Sequence, residues 1–280
     1  MHDGPDAAPC SMEPYGVSSD LLALAGGALV GLVLGIVGGG GSILAVPLLL
    51  YGVGLPSVHV AIGTSAVAVA LNAFANLLMA MRRGLVKWRC ALVFSGAGVV
   101  GSVAGSHLAL LMDGKRLLAY FGALMLVVGG LMLAKKNAEG DPAVRLTFAT
   151  ARHMLPWLVA TGLAVGLLAG FFGIGGGFLI VPGLMFASGM PISFAIATSL
   201  VGVTAFGATT ASTYALAGAI DWRVMAFFLI GGLMGSIAGQ LLGGRLGHNK
   251  SILQSVFAIF VMAVGVFILH QAWAVGSHQV

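Results

Sequence analysis

Hydrophobic positions dominate this chain and fall into eight long tracts separated by short polar stretches. A helix needs about 20 mostly apolar residues to cross a hydrocarbon core of about 30 Å, and each tract approaches or exceeds that length. The pattern therefore predicts an all-α polytopic membrane protein. The tracts cover residues 21–55, 57–81, 90–111, 117–134, 155–189, 192–217, 223–244 and 251–274.

The first and fifth tracts are too long for one straight span. As a continuous helix each would run about 50 Å at 1.5 Å per residue, well past the core thickness. Each contains a glycine run, Gly38–Gly41 followed by Ser42 in the first and Gly173–Gly177 in the fifth. Glycine adopts backbone conformations that other residues avoid, so we expect the chain to break at both runs and fold back.

A proline follows each run, Pro47 in the first tract and Pro182 in the fifth. Proline is favoured at the first position of a helix, so we expect each proline to begin a new short helix. Each half of the chain would then make five crossings or near-crossings. Because five is odd, the second half would be inverted relative to the first.

Four short motifs occur twice, about 135 residues apart, which is the signature of an internal repeat. The sequence therefore predicts two homologous halves and a pseudo-symmetric fold with its site where the halves meet. The first copies are Gly38-Gly39-Gly40-Gly41-Ser42, Ala61-Ile62-Gly63-Thr64-Ser65, Gly84 with Trp88-Arg89, and Gly101-Ser102-Val103-Ala104-Gly105. The second copies are Gly173-Ile174-Gly175-Gly176-Gly177, Ala195-Ile196-Ala197-Thr198-Ser199, Gly218 with Trp222-Arg223, and Gly235-Ser236-Ile237-Ala238-Gly239.

These repeats divide the chain into four parts. Residues 1–20 form an extramembrane tail, 21–134 the first transmembrane repeat and 154–274 the second. The polar stretch 135–153 between the repeats is expected to be a cytoplasmic linker.

The distribution of basic residues favours inverted halves slightly, since Lys and Arg concentrate in cytoplasmic loops. With the amino terminus outside, inversion leaves Lys115, Arg116 and Arg223 outside and places the other ten of the 13 basic residues inside. Parallel four-span halves would place nine inside and four outside, so that arrangement stays open. The ten are Arg82, Arg83, Lys87, Arg89, Lys135, Lys136, Arg145, Arg152, Arg245 and Lys250.

The polar groups at membrane depth are neutral. Charged residues make up 8% of the chain and apolar residues 59%, against about 25% charged in soluble domains. All eight acidic residues lie outside the tracts or at their edges, whereas cation-coupled carriers usually place a carboxylate within the membrane. Hydrogen-bond donors without carboxylates suit an anion as the substrate.

The repeated glycine runs and hydroxyl pairs are the candidate anion site. A helix that begins just after a glycine run points free N–H groups and a partial positive charge into the break, and two such helices would face each other. The candidate residues are Gly38, Gly39, Gly40, Gly41, Ser42, Thr64, Ser65, Gly173, Gly175, Gly176, Gly177, Thr198 and Ser199.

Structural interpretations compete with this one. Glycines at small-xxx-small spacing, such as Gly101 with Gly105 and Gly235 with Gly239, are more typical of close helix packing than of a ligand site. The Thr and Ser hydroxyls of the second motif could instead bond the carbonyls of their own helix.

The sequence lacks the residues that several classes of protein require. The sequence contains no nucleophile paired with a base, no His or Cys cluster and no ATP-binding G-x-x-x-x-G-K-[ST] motif. We therefore expect no enzyme activity, no metal and no cofactor. The excess of basic residues is explained by the loops, so nucleic acid is not an expected partner.

The doubled glycine run with its proline, the Ala-Ile-x-Thr-Ser segment and the Gly-x-x-x-Trp-Arg turn together resemble the sulfite exporter TauE/SafE family, also described as the toluene-sulfonate uptake permease family. The similarity extends from about Leu21 to Leu269. It implies a multi-pass carrier in the inner membrane for sulfur-containing anions such as sulfite or sulfonates, with export as the expected direction. The alternatives are an anion channel and a non-transporting membrane subunit.

Overall fold

The structure is a computed structural model that describes residues 17–37, 39–134, 148–173, 177–245, 259 and 261–271. Every regular element in these ranges is helical, and five helices are long and apolar enough to cross a membrane. The elements are α1 (Val17–Val37), a 3-10 helix (Gly39–Leu44), α2 (Ala45–Pro47), a π-helix (Leu48–Val53), α3 (Val58–Arg82), α4 (Trp88–Leu110), α5 (Gly114–Ala134), α6 (Phe148–Phe172), α7 (Gly177–Ser188), α8 (Ile192–Leu216), α9 (Trp222–Arg245) and the helix Val261–Gln271.

Two predicted boundaries differ from the helix limits. Helix α1 begins at Val17, within the predicted tail, and α6 begins at Phe148, within the predicted linker. Residues 135–147, the rest of that linker, lie outside the described residues.

Helices α1 and α6 both stop at the glycine runs. Helix α1 ends at Val37 and α6 at Phe172, and Gly173 then has a left-handed φ of 65°. After the first break the 3-10 helix, α2 and the π-helix form a return segment, residues 39–53, and after the second the chain continues as α7. The first and fifth tracts are therefore broken where the sequence predicts.

The expectation that the prolines begin the new helices is wrong. Pro47 is the last residue of α2, and Pro182 lies inside α7, which begins five residues earlier at Gly177. Helical structure resumes at Gly39 and at Gly177, within the glycine runs, so no proline is needed to start it. A proline inside a membrane helix is tolerated because neighbouring groups satisfy the carbonyl that it leaves without a donor.

Helices α1, α3 and α9 run in the same direction. At one end Arg223 of α9 pairs with Asp20 of α1 at 2.7 Å, and towards the other end Gly35 packs on Ser236. Helix α3 follows the same course, since its early residue Thr64 contacts the start of α9 and its late residue Asn76 bonds Gln240.

Helices α4, α6 and α8 run in the opposite direction. Ser102 of α4 donates to the Phe206 carbonyl of α8 at 3.3 Å, and Ser106, one turn later, donates to Gly170 near the end of α6 at 3.3 Å. Helices α3 and α8 are antiparallel and are the most enclosed of the five long helices. The first helices of the two predicted halves, α1 and α6, therefore point in opposite directions.

Glycines allow the parallel pairs α1–α9 and α4–α6 to approach closely. A Cβ atom at Gly101 or Gly105 of α4 would overlap the backbone of α6, and one at Gly235 or Gly239 of α9 would overlap that of α1. Small residues give membrane helices this close contact, which supplies van der Waals packing where hydrophobic burial supplies little. The packing interpretation of these four glycines is confirmed.

Candidate anion site

The segments that follow the two glycine runs pack against each other. The 3-10 helix after the first glycine run packs against α7, which follows the second run, and also contacts α1 and α8. Gly41 and Ser42 are buried, with no exposed surface on Ser42, and Gly177 is buried at the start of α7. Gly39 and Gly40 belong to the 3-10 helix, whereas Gly38, Gly175 and Gly176 lie outside the described residues.

Gly173 brings the second run to the beginning of α3. Its φ of 65° suits glycine, and a Cβ atom there would overlap the side chain of Ile62. Ile62 is two residues before Thr64, so the second run and the first hydroxyl pair lie on neighbouring parts of the structure. These two predicted elements are far apart in the chain and are brought together by the fold.

The two candidate threonines make matching bonds between distant helices. Thr64 of α3 accepts a hydrogen bond from the N–H of Asp221, just before α9, at 3.0 Å. Thr198 of α8 accepts one from the N–H of Lys87, just before α4, at 3.1 Å. Each threonine is almost fully buried and satisfies a backbone donor next to a helix start. The same oxygen keeps a proton that it can donate.

The two candidate serines bond their own helices. Ser65 donates to the Ile62 carbonyl at 2.9 Å, and Ser199 donates to the Ile196 carbonyl at 2.8 Å. Both serines therefore make the bond that the structural interpretation expects. Neither interpretation predicts the bonds of the two threonines, whose donors lie at the starts of other helices.

A buried hydroxyl cluster joins α4 and α8. Ser102 and Ser106 each lie 3.2 Å from the Thr210 hydroxyl, and Ser106 also bonds the Ser102 carbonyl at 2.8 Å. All three side chains have no exposed surface. Within this cluster the three hydroxyl groups satisfy one another, whereas the buried hydroxyls of Ser95 and Tyr214 have no partner among the described residues.

A cavity of about 120 Å³ lies where α1, α3 and α9 end and α8 begins. Arg83, Asn76, Gln240 and Ser193 supply its polar lining, and Leu34, Gly35, Ala80, Leu85, Ile196, Ala197 and Leu200 complete it. In the sequence, Arg83 indicated only topology, and Gln240 was not recognised as a site residue. A polar side chain within an apolar tract is the signal that could have identified Gln240.

Comparison with known proteins finds similar membrane transporters. The sequence model of the sulfite exporter TauE/SafE family matches residues 23–268. A probable membrane transporter protein of Xylella fastidiosa strain 9a5c is 45% identical over 258 residues, which cover 92% of this chain and 98% of that protein. The protein of the same description in strain Temecula1 is 43% identical over 263 residues, with the same two coverages of 92% and 98%.

A more distant relative is the probable membrane transporter protein YdhB of Bacillus subtilis strain 168. It is 26% identical over 247 residues, which cover 86% of this chain and 96% of YdhB. No solved structure matches the chain significantly.

Proposed function

The chain belongs to the sulfite exporter TauE/SafE family, and we propose that this membrane transporter is a secondary carrier that exports small sulfur-containing anions, such as sulfite or a sulfonate, across the inner membrane. One observation favours an anion above all. Among the described residues the buried polar side chains are Ser, Thr and Asn, with the hydroxyl of Tyr214 also buried, and none of them is charged. Such an interior offers hydrogen-bond donors and no carboxylate to hold a coupling cation.

The proposed architecture is a pair of inverted repeats. The opposite directions of α1 and α6 support it, and so do the matching bonds of Thr64 and Thr198. In inverted-repeat carriers the substrate site lies between the repeats near the middle of the membrane. We therefore propose that the substrate site of this chain lies where the segments after the two glycine runs pack together.

The proposed seat for the anion is formed by the glycine runs and the neighbouring hydroxyls. Its support is that α7 begins at Gly177, the last residue of the second run, with no acidic residue in its first turn. The N–H groups at a helix start have no partner within the helix and attract negative charge. A backbone without side chains lets an anion approach these groups closely.

We expect the membrane potential alone to drive export of an anion that is not coupled to a second ion. Moving one charge through 100 mV is worth about 2.3 kcal/mol, so a negative interior drives export without sodium. We expect sulfite flux in proteoliposomes to rise with an imposed potassium-diffusion potential. A flux that ignores voltage or requires sodium would contradict this coupling, and a flux that does not saturate with sulfite concentration would favour a channel.

The same assay tests the seat. Gly40→Leu and Gly175→Leu should each abolish sulfite flux with normal membrane insertion, because a side chain blocks close approach to the backbone. Gly52→Leu is the matched control, since nothing lies within 4 Å of a Cβ atom there. Wild-type flux in both Gly40→Leu and Gly175→Leu would remove the seat from these runs.

A further inference from the structure

We propose that the cavity beside Arg83 is a binding site for a small oxyanion, separate from the glycine runs. Its polar lining is one guanidinium, two amides and one hydroxyl, and it includes no carboxylate. These groups can all donate hydrogen bonds, and a guanidinium bonds oxyanions through two parallel N–H groups. Sulfite, sulfonates and phosphate share the required chemistry.

The cavity has a buried floor and an exposed rim. Asn76, Leu34, Ala197 and Leu200 of the floor are buried, while Arg83 and Ser193 at the rim are exposed. Its volume of about 120 Å³ is well above the roughly 10–15 Å³ that one water needs. An oxyanion could therefore enter past Arg83 and keep part of its hydration.

Asn76 on the floor has unused hydrogen-bonding capacity. Its Oδ1 accepts a hydrogen bond from Gln240 Nε2, but its Nδ2 has no partner among the described residues. Only 4% of Asn76 is exposed, and a buried amide without a partner is destabilising. An anion in the cavity would supply an acceptor at the place where the protein lacks one.

Helix α8 begins at the cavity without a side-chain cap. Pro191 at its N-cap position makes no side-chain bond, and Ser193 of its first turn lines the cavity. At the corresponding point of the first half, Ser57 caps α3 by accepting a bond from the Val60 N–H at 3.2 Å. The N–H groups of Phe194 and Ala195 bond the Pro191 carbonyl, and the positive dipole end of α8 lies beside the cavity.

A further positive charge lies close to this end of α8. The Lys87 ammonium is 4.5 Å from the centre of the Phe194 ring, and Phe194 follows Ser193 in the chain. One cationic side chain therefore lines the cavity, and a second lies against the first turn of the helix whose amino end is beside it. The resulting field concentrates anions at the rim and disfavours cations.

Binding of radiolabelled sulfite to the purified full chain, at constant ionic strength, tests this site. Arg83→Gln should weaken binding by about tenfold or more, as expected for loss of a charged hydrogen-bonding partner. Arg82→Gln removes the same charge one residue away, outside the cavity lining, and should change the dissociation constant by less than about twofold. Ser193→Asp should abolish binding by repulsion, while Ser193→Thr should retain it.

The proposal fails if the wild-type chain binds none of sulfite, methanesulfonate and phosphate. It also fails if Arg83→Gln binds sulfite as tightly as Arg82→Gln does. Loss of binding in Gly40→Leu, with binding retained in Arg83→Gln, would place the anion at the glycine runs instead. Nanodiscs with and without anionic lipid distinguish the sources of the oxyanion, because a lipid headgroup in the cavity would compete with sulfite. A chain that binds sulfite through Arg83 but does not move it would contradict the transport proposal alone.

Discussion

Thr64 and Thr198 show how one residue type can hold distant parts of a membrane protein together. Each hydroxyl accepts a hydrogen bond from the N–H of a residue at a helix start. That residue lies more than a hundred positions away in the chain. Each of these N–H groups lies just before a helix start, where the helix itself provides no acceptor. The bond therefore fixes the depth of α9 against α3 and of α4 against α8.

We expect Thr198→Val to destabilise the protein by about 1 kcal/mol, because the shape is kept but the Lys87 N–H loses its acceptor. Thermal unfolding in detergent measures the effect. Thr209→Val is the matched control in the same helix, since the Thr209 hydroxyl only bonds its own Ala205 carbonyl at 2.7 Å. Equal losses in the two variants would mean that the bond between helices contributes nothing.

Among the secondary-structure elements, the breaks restrict residue identity more than the helices that they separate. Gly173 ends α6 with a left-handed φ and lies against Ile62, so both its conformation and its lack of a side chain are used. Gly189 ends α7 with a similar φ of 68°, but nothing lies within 4 Å of a Cβ atom there. Comparing these two glycines therefore distinguishes the cost of the left-handed backbone from the cost of a steric contact.

Gly173→Ala should therefore cost more stability than Gly189→Ala. Both pay the left-handed penalty of about 1–2 kcal/mol, and Gly173→Ala adds an overpacking cost of about 1–3 kcal/mol against Ile62. Ile62→Ala in the Gly173→Ala background should recover part of the loss in a thermal unfolding assay. If Gly173→Ala is no worse than Gly189→Ala, the contact with Ile62 is not a constraint.

For the whole molecule, the helix directions define two ends. Leu111 after α4 and Leu216 at the end of α8 lie at one end and are 84% and 91% exposed. Arg82 at the end of α3 and Ser193 at the start of α8 lie at the other end and are also exposed. The positive-inside rule predicts that the Arg82 end is cytoplasmic.

Cysteine labelling can check this orientation. With Cys10 and Cys90 replaced, Leu111→Cys and Leu216→Cys should react with an impermeant maleimide in intact cells, because both lie at the outer end. Arg82→Cys and Ser193→Cys should react only after permeabilisation. A split within either pair would contradict the helix directions, and a complete reversal would contradict the orientation.

The sequence by itself determined the helical class, the positions of the breaks and the family resemblance. Hydrophobic length predicts helices because a bilayer leaves the backbone no other partners, and the glycine runs end α1 and α6 because glycine acts locally. The packing of Gly101 and Gly239 was also predictable, since small-xxx-small spacing places both residues of a pair on one helix face.

The tertiary structure alone decided which residues meet. The bonds of Thr64 with Asp221 and of Thr198 with Lys87 join segments that no local pattern relates. The cavity likewise needs the ends of α1, α3 and α9 and the start of α8 at one place, so the roles of Arg83 and Gln240 were not visible in the sequence. Periodicity and composition describe a residue's neighbours along the chain, whereas a binding site depends on how separate helices pack.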